Sequence, residues 1–212
     1  MSNLEYLKNK YNLSFDAGMP IVLDHFGRRT ALIELFKELG FKIGAEIGTD
    51  HGQYAQTLCE RIPGLELHCV DPWLAYTEGK ETHTQEDVDQ IYRQACDRLM
   101  NLNPPVTIYK EKSMEAVKRF KDNSLDFVFI DGNHEFSYVL EDITEWSKKV
   151  KAGGIIVGHD YTVNPERKYG VIEAVQKYIG EYRITPWFVL HVPAHVPKRK
   201  KGNLVDCWMF IK

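Results

Sequence analysis

The feature that most constrains this chain is an alternation of short, largely apolar runs with segments of helical period. Runs at 43–47, 65–70, 106–109, 125–130 and 155–158 have the length of strands, and the last two carry apolar residues at successive positions, not at every second one. A strand of that kind needs cover on both faces, which is the signature of a parallel sheet between two layers of helices. The intervening segments supply the helices. Ala55, Leu58, Cys59 and Ile62 share one helical face, as do Ala116, Val117 and Phe120. Val139, Ile143, Trp146 and Val150 recur at helical spacing, with Gly153-Gly154 as the expected stop. After a helix near 171–179, runs at 187–192 and 204–211 are joined by a loop alone, too short for a crossover helix, and so form an antiparallel pair. The first forty residues read as helical, with Leu32, Leu35, Phe36 and Leu39 on one face. The expected architecture is α/β and doubly wound, with a helical segment 1–42 packed on a core of residues 43–212.

Composition narrows the partners. With 27 basic and 30 acidic side chains in 212 residues, a net charge of −3 gives no global attraction to nucleic acid or to an anionic membrane. No apolar run approaches the roughly 18 residues of a membrane-spanning helix, and the first residues lack the basic-then-apolar pattern of a signal peptide. Cys59, Cys69, Cys96 and Cys207 are scattered and read as reduced thiols, so a cytoplasmic location is expected.

In a sheet of this kind, ligands bind beyond the carboxyl ends of the strands, where the strand order reverses. The first such end reads Glu46-Ile47-Gly48-Thr49-Asp50-His51-Gly52. Its glycines permit close backbone approach, and the next helix offers free N–H groups. Gly44, Gly48 and Gly52 are spaced by four, unlike the dinucleotide fingerprint, and no phosphate-binding Gly-Lys-Ser/Thr follows. Asp71 closes the second strand 19 residues after Gly52, where a carboxylate can accept both hydroxyls of a ribose. A glycine turn and a ribose-binding acid without a pyrophosphate motif point to a nucleoside without phosphates.

These residues resemble the first motif of the S-adenosylmethionine-dependent methyltransferases with a Rossmann-like core, whose usual sheet has seven strands ending in an antiparallel pair. The resemblance runs from Ile43 to the end of the chain. It implies that Gly48, Thr49 and Gly52 hold the methionyl part of S-adenosylmethionine, with Glu46 near its ammonium group and Asp71 on the ribose. It also implies that Ser113 and Met114 flank the adenine, and Trp73 is a further candidate to pack on the adenosine.

The second distinctive stretch is Asp131-Gly132-Asn133-His134, followed by Glu141-Asp142, Trp146, and His159-Asp160-Tyr161. Asp131 and Asp160 lie just past the ends of two strands expected to be neighbours, roughly 5 Å apart, so their carboxylates can converge on one divalent cation. Such an ion would lower the pKa of a coordinated hydroxyl. The pattern resembles bacterial small-molecule O-methyltransferases, including sugar-modifying ones, and sequences described as cephalosporin hydroxylases. More distantly it is similar to catechol-type enzymes, which bind magnesium through two aspartates and an asparagine. Asp131 and Asp160 match the aspartates, and Asp131 also counts among the cofactor contacts. Tyr161 stands at the asparagine position. His159 stands where sugar-modifying relatives can carry an acid, which admits manganese, iron or zinc beside magnesium. Without a metal, His134 or His159 is the candidate general base.

The expected function is methyl transfer from S-adenosylmethionine to a hydroxyl of a small molecule such as a sugar or another secondary metabolite. Asp131, His134, His159 and Asp160 are the catalytic candidates, and magnesium or manganese on Asp131 and Asp160 the candidate metal. Homo-oligomerisation is left open. The competing readings are a binding protein without turnover, a related hydroxylase or nitrogen-directed methyltransferase, and an NAD enzyme, the last set back by the missing fingerprint. Three further stretches are candidate contacts: His25-Phe26-Gly27-Arg28-Arg29, the polar segment 76–83 as a lid, and the basic loop at 198–201.

Overall fold

The computed structural model describes residues 1–16, 18–24, 30–78, 81–163, 169–191 and 205–212. In chain order the elements are α1 (Asn3–Tyr11), β1 (Ile21–Leu23), α2 (Thr30–Glu38), β2 (Ile43–Ile47), α3 (Gln53–Arg61) and β3 (Glu66–Val70). There follow β4 (Tyr76–Glu78), β5 (Glu81–His83), α4 (Gln85–Leu99), β6 (Thr107–Tyr109), α5 (Ser113–Ala116) and β7 (Leu125–Ile130). The rest comprises α6 (Phe136–Lys149), β8 (Val150–Gly158), α7 (Val171–Tyr182), β9 (Trp187–Leu190) and β10 (Cys207–Ile211).

The main sheet has the order β1-β9-β10-β8-β7-β2-β3-β6, and only β10 runs against its neighbours. The two-sided apolar pattern sorts as the pleat requires. Phe127 and Phe129 enter a core with α1, α2 and α3, while Val128 and Ile130 enter the opposite core with α6 and α7. The strand order reverses between β2 and β7, which places the topological switch at their carboxyl ends.

All seven expected strands form, and an eighth joins them from the segment read as helical. Ile21, Val22 and Leu23 pair in parallel with Phe188, Val189 and Leu190, ahead of the point where strands and helices begin to alternate. The Gly153-Gly154 pair does not stop a helix. α6 ends at Lys149, and Val150 is already extended and opens β8. Gly154 lets β8 pass close under β7, since a Cβ there would lie 2.5 Å from the Asp126 carbonyl oxygen. The helix expected around Ala116 to Phe120 shrinks to four residues and a 3-10 turn, Val117–Arg119, with Phe120 extended. Part of the polar segment 76–83 forms a hairpin, β4 with β5, in which the Tyr76 and His83 rings stack 4.7 Å apart. Residues 25–29, Gly79 and Lys80, and the basic loop at 198–201 lie outside the described residues. Among the described residues no helix is long and apolar enough to cross a membrane.

Candidate active site

Register brings the candidate residues to one edge of the sheet. Ile47 is level with Val70 and Ile130, and Ile130 with Gly158, so Gly48, Asp71, Asp131 and His159 follow at adjacent strand ends. The ladder continues one step past the strands: Gly48 N–H donates to Val70 O (2.8 Å), Asp131 N–H to Ile47 O (2.8 Å) and His159 N–H to Ile130 O (3.0 Å). The turn after β2 and the start of the segment after β7 are in direct backbone contact. At Gly48 (φ +89°) a Cβ would sit 2.1 Å from the Asp131 carbonyl oxygen. That glycine is therefore required by the packing of two strand ends, before any ligand is considered. Gly52 (φ +70°) begins α3 and, having no side chain, supplies no cap to its first turn. Gly44 instead makes room in the core for the Phe127 ring.

Asp71 ties this turn together. Its Oδ2 accepts from Asp50 N–H (2.9 Å) and its Oδ1 from Trp73 N–H (2.8 Å). Burial pushes its carboxyl pKa up, against the lowering by these backbone donors. Thr49 N–H is a third backbone donor, so three of the roughly four acceptor positions are taken and one remains for a hydroxyl. Glu46 is buried, 2% exposed, with the Cys69 thiol 3.8 Å from Oε2. Thr49 Oγ1 lies against that thiol, buried and with no nitrogen or oxygen partner among the described residues. Trp73 goes to the interior: it is 2% exposed, packs on Tyr92, Val88 and Ala95, and donates Nε1–H to Asp50 O (3.1 Å).

Ser113 and Met114 open α5, beyond the end of β6. The Ser113 hydroxyl donates to Asp142 Oδ1 and accepts from Trp146 Nε1–H (2.8 Å), while Met114 is half-buried against the core beneath α6. Asp142 is 4% exposed, and burial lifts its carboxyl pKa to about 7 although the Ser113 hydroxyl pulls it down. The sequence shows Asp142 and Trp146 one helical turn apart, but not that Ser113 lies between them. The link spans 29 residues and exists only in the fold.

The second group is a cluster of charges. His134 Nε2 and His159 Nδ1 both reach Asp160 Oδ2, at 2.9 and 3.0 Å. His134 Nε2 is 4.0 Å and His159 Nδ1 3.6 Å from Asp131 Oδ1. Asp160 adopts φ +54°, and this left-handed turn swings its carboxylate back toward β7. Although burial opposes it, bonding to the two histidines holds the Asp160 carboxyl well below the usual carboxylate range. Burial alone would lower His159; the Asp131 and Asp160 carboxylates outweigh it and raise the imidazole to about 9. The His159 side chain is 5% exposed and that of His134 19%, so His134 is the more accessible base. The His134 ring stacks on Tyr169 at 4.3 Å, which fixes its plane. A crevice lined by Asp131, His134, His159 and Trp208 holds about 10 Å³, roughly one water, and His159 Nε2 is buried without a partner among the described residues. Tyr161 faces away, its ring edge-on to Trp187 at 5.9 Å.

One ligand atom each from Asp131, His134 and Asp160 lies within 4.8 Å of the others. The donor set therefore suits a divalent ion, and it includes a histidine that sequence reasoning placed outside the metal's direct ligands. Asp-x-x-His is the signal that could have found it, since both residues leave the same strand end.

Comparison with known proteins accords with this layout. A family model described as a methyltransferase domain matches residues 45–161. Among solved structures, the O-methyltransferase from Bacillus cereus in complex with SAH is 20% identical, with a TM-score of 0.61 over 99% of this chain and 90% of that one. The O-methyltransferase TomG from Streptomyces achromogenes, involved in tomaymycin synthesis and in complex with SAM, is 13% identical, with a TM-score of 0.62 over 97% of this chain and 86% of that one. A curated relative described as the uncharacterized protein y4gI of Sinorhizobium fredii (strain NBRC 101917 / NGR234) is 25% identical over 130 residues, 59% of this chain. The match spans only 14% of that relative's length.

Proposed function

The chain belongs to the methyltransferase-domain family, and from that premise we propose that it transfers a methyl group from S-adenosylmethionine to a hydroxyl oxygen of a small molecule. The observation that carries this reading is the meeting of two unlike groups at the switch between β2 and β7. A backbone turn with a ribose-type acid lies on one side, and a carboxylate–histidine cluster on the other. The solved O-methyltransferases with SAH and SAM bound, quoted above, support it.

On this reading Asp71 accepts a ribose hydroxyl, and the glycine-started first turn of α3 takes the cofactor carboxylate. Buried Glu46 and Thr49 Oγ1, which has the Cys69 thiol beside it, meet the polar methionyl end. Ser113, engaged by Asp142 and Trp146, sets the position of Met114 beside the adenine. Trp73 acts from beneath, by fixing Asp50 and so the turn. Bound S-adenosylmethionine supplies an electrophilic methyl on a positively charged sulfur, so positioning carries much of the rate enhancement. A divalent ion held by Asp131 and Asp160 would orient the acceptor and acidify its hydroxyl. Without such an ion, His134, the more exposed of the two imidazoles, would be the base that takes the acceptor proton.

The test is calorimetric titration of S-adenosylmethionine and S-adenosylhomocysteine into nucleoside-free protein, followed by methyl-transfer assays on sugars and other hydroxylated acceptors. Micromolar binding lost in Asp71→Ala, with transfer lost but binding retained in Asp131→Asn, is the expected result. No binding of either nucleoside would overturn the proposal. Binding without transfer to any acceptor would leave a binding protein in its place.

A further inference from the structure

The metal contact proposed above names two carboxylates, a pair that magnesium would accept. The geometry points to a different ion: we infer that His134 Nε2 is a third direct ligand beside Asp131 and Asp160, and that the site selects an imidazole-accepting transition metal of the zinc or iron class over magnesium. This inference rests on the proposed location of the metal but not on methyl transfer.

Three observations carry it. First, the spacing suits coordination. An ion with bonds of roughly 2.0–2.2 Å holds its donors about 3–4 Å apart. Here His134 Nε2 is 2.9 Å from Asp160 Oδ2 and 4.0 Å from Asp131 Oδ1, and the three donor atoms all fall within 4.8 Å. Second, the histidine is held in place from outside the cluster. Its ring stacks on Tyr169 (4.3 Å, 17° between planes), and its carbonyl oxygen accepts from Gly170 N–H (2.8 Å) at the start of α7. A fixed ring aimed at two carboxylates is the preorganisation that a ligand needs. Third, His159 lies behind the carboxylates in the manner of a supporting donor. It is almost fully buried, its Nδ1 is 3.0 Å from Asp160 Oδ2, and its unpartnered Nε2 lines the one-water crevice. Ligating carboxylates are commonly oriented by such hydrogen bonds.

The chemistry then chooses the ion. Magnesium prefers oxygen donors and keeps several waters, whereas imidazole suits zinc, iron, copper and nickel. A ligand set of one imidazole and two carboxylates leaves open positions for water or for an acceptor hydroxyl. Tyr161, which stands where an amide would add a further oxygen for magnesium, turns instead toward Trp187.

The experiment uses the full chain stripped of metal by chelation and dialysis. Cobalt(II) is titrated in and followed by its visible d–d absorption, and zinc and magnesium then compete for the site. One equivalent of cobalt is expected to bind, zinc should displace it stoichiometrically, and magnesium in hundredfold excess should not. His134→Ala should weaken cobalt binding by at least 100-fold and His159→Gln by about tenfold, while Asp71→Ala should leave it unchanged. His134→Asn is the second variant should the alanine fail to fold, with far-UV circular dichroism as the check. Magnesium competing as well as zinc, cobalt affinity unchanged in the His134 variants, or no cobalt binding by the unaltered protein would each overturn the inference. S-adenosylhomocysteine titrated into the same samples separates the two readings: its binding without a cobalt signal overturns only this one, and a cobalt signal without its binding overturns only the cofactor assignment.

Discussion

The two halves of the site are built by opposite means. On the β2–β3 side, side chains are spent on holding the backbone. Asp71 anchors Asp50 and Trp73, Trp73 is buried under α4, and Ser113 is engaged by Asp142 and Trp146. What this half leaves for a ligand is largely main chain and residual lone pairs. On the β7–β8 side, two carboxylates and two imidazoles crowd one another and remain reactive. A half that recognises by shape needs rigidity; a half that handles protons or an ion needs charges brought together at a cost in stability. The contrast predicts that substitutions in the first half will act on stability, and that those in the second will act on ion binding or chemistry as well.

The largest expected effect breaks the division itself. Gly48→Ala puts a methyl on the Asp131 carbonyl oxygen at a positive φ, and should destabilise by about 4 kcal/mol. Chemical denaturation measures it, and a loss under 1 kcal/mol would show that the two strand ends can part. Next, Asp160→Asn tests the charged half. Asparagine tolerates the left-handed backbone, but the buried His159 imidazolium keeps only Asp131 of its two carboxylate partners, which should cost about 2 kcal/mol in metal-free protein at neutral pH. Equal stability of variant and parent would mean that Asp160 does not support a charge on His159.

A smaller effect tests whether the recognition half has a titrating group of its own. Asp142 has a carboxyl pKa raised to about 7, above the roughly 3.9 of an unfolded chain. A raised acid pKa means that the folded state binds the extra proton, so this contribution is present at low pH and is lost as pH rises toward 7. Stability should fall by about 1 kcal/mol per unit between pH 5 and 7, and Asp142→Asn should remove that slope. An unchanged slope in the variant would assign it to another group. The smallest effect is at Trp73→Phe, which deletes the bond to Asp50 O and should cost about 1 kcal/mol. Cofactor affinity should change less than threefold; a tenfold loss would put the indole against the ligand and blur the contrast.

How much of this was legible varies with sequence distance. The central strands declared themselves because burial on both faces leaves a local apolar pattern, as Phe127 to Ile130 show. β1 was hidden because it lies ahead of the strand–helix alternation that exposed the equally short β6, and Gly153-Gly154 misled because a helix stop and a close strand crossing use the same residue. Trp73 looked like a ligand contact from its place after Asp71-Pro72, and only its burial under α4 shows the packing role.

By itself the sequence determined the alternation of strands and helices, the antiparallel ending, and the strand ends at which Gly48, Asp71, Asp131 and Asp160 sit. Those properties are carried by residues near one another in the chain. Tertiary structure alone decided that Gly48 abuts Asp131, that Ser113 joins Asp142 to Trp146, and that His134 turns onto Asp160 26 residues away. These contacts depend on register, on a left-handed turn and on side-chain direction, and neither hydrophobic periodicity nor residue spacing encodes which distant side chains will share one small volume.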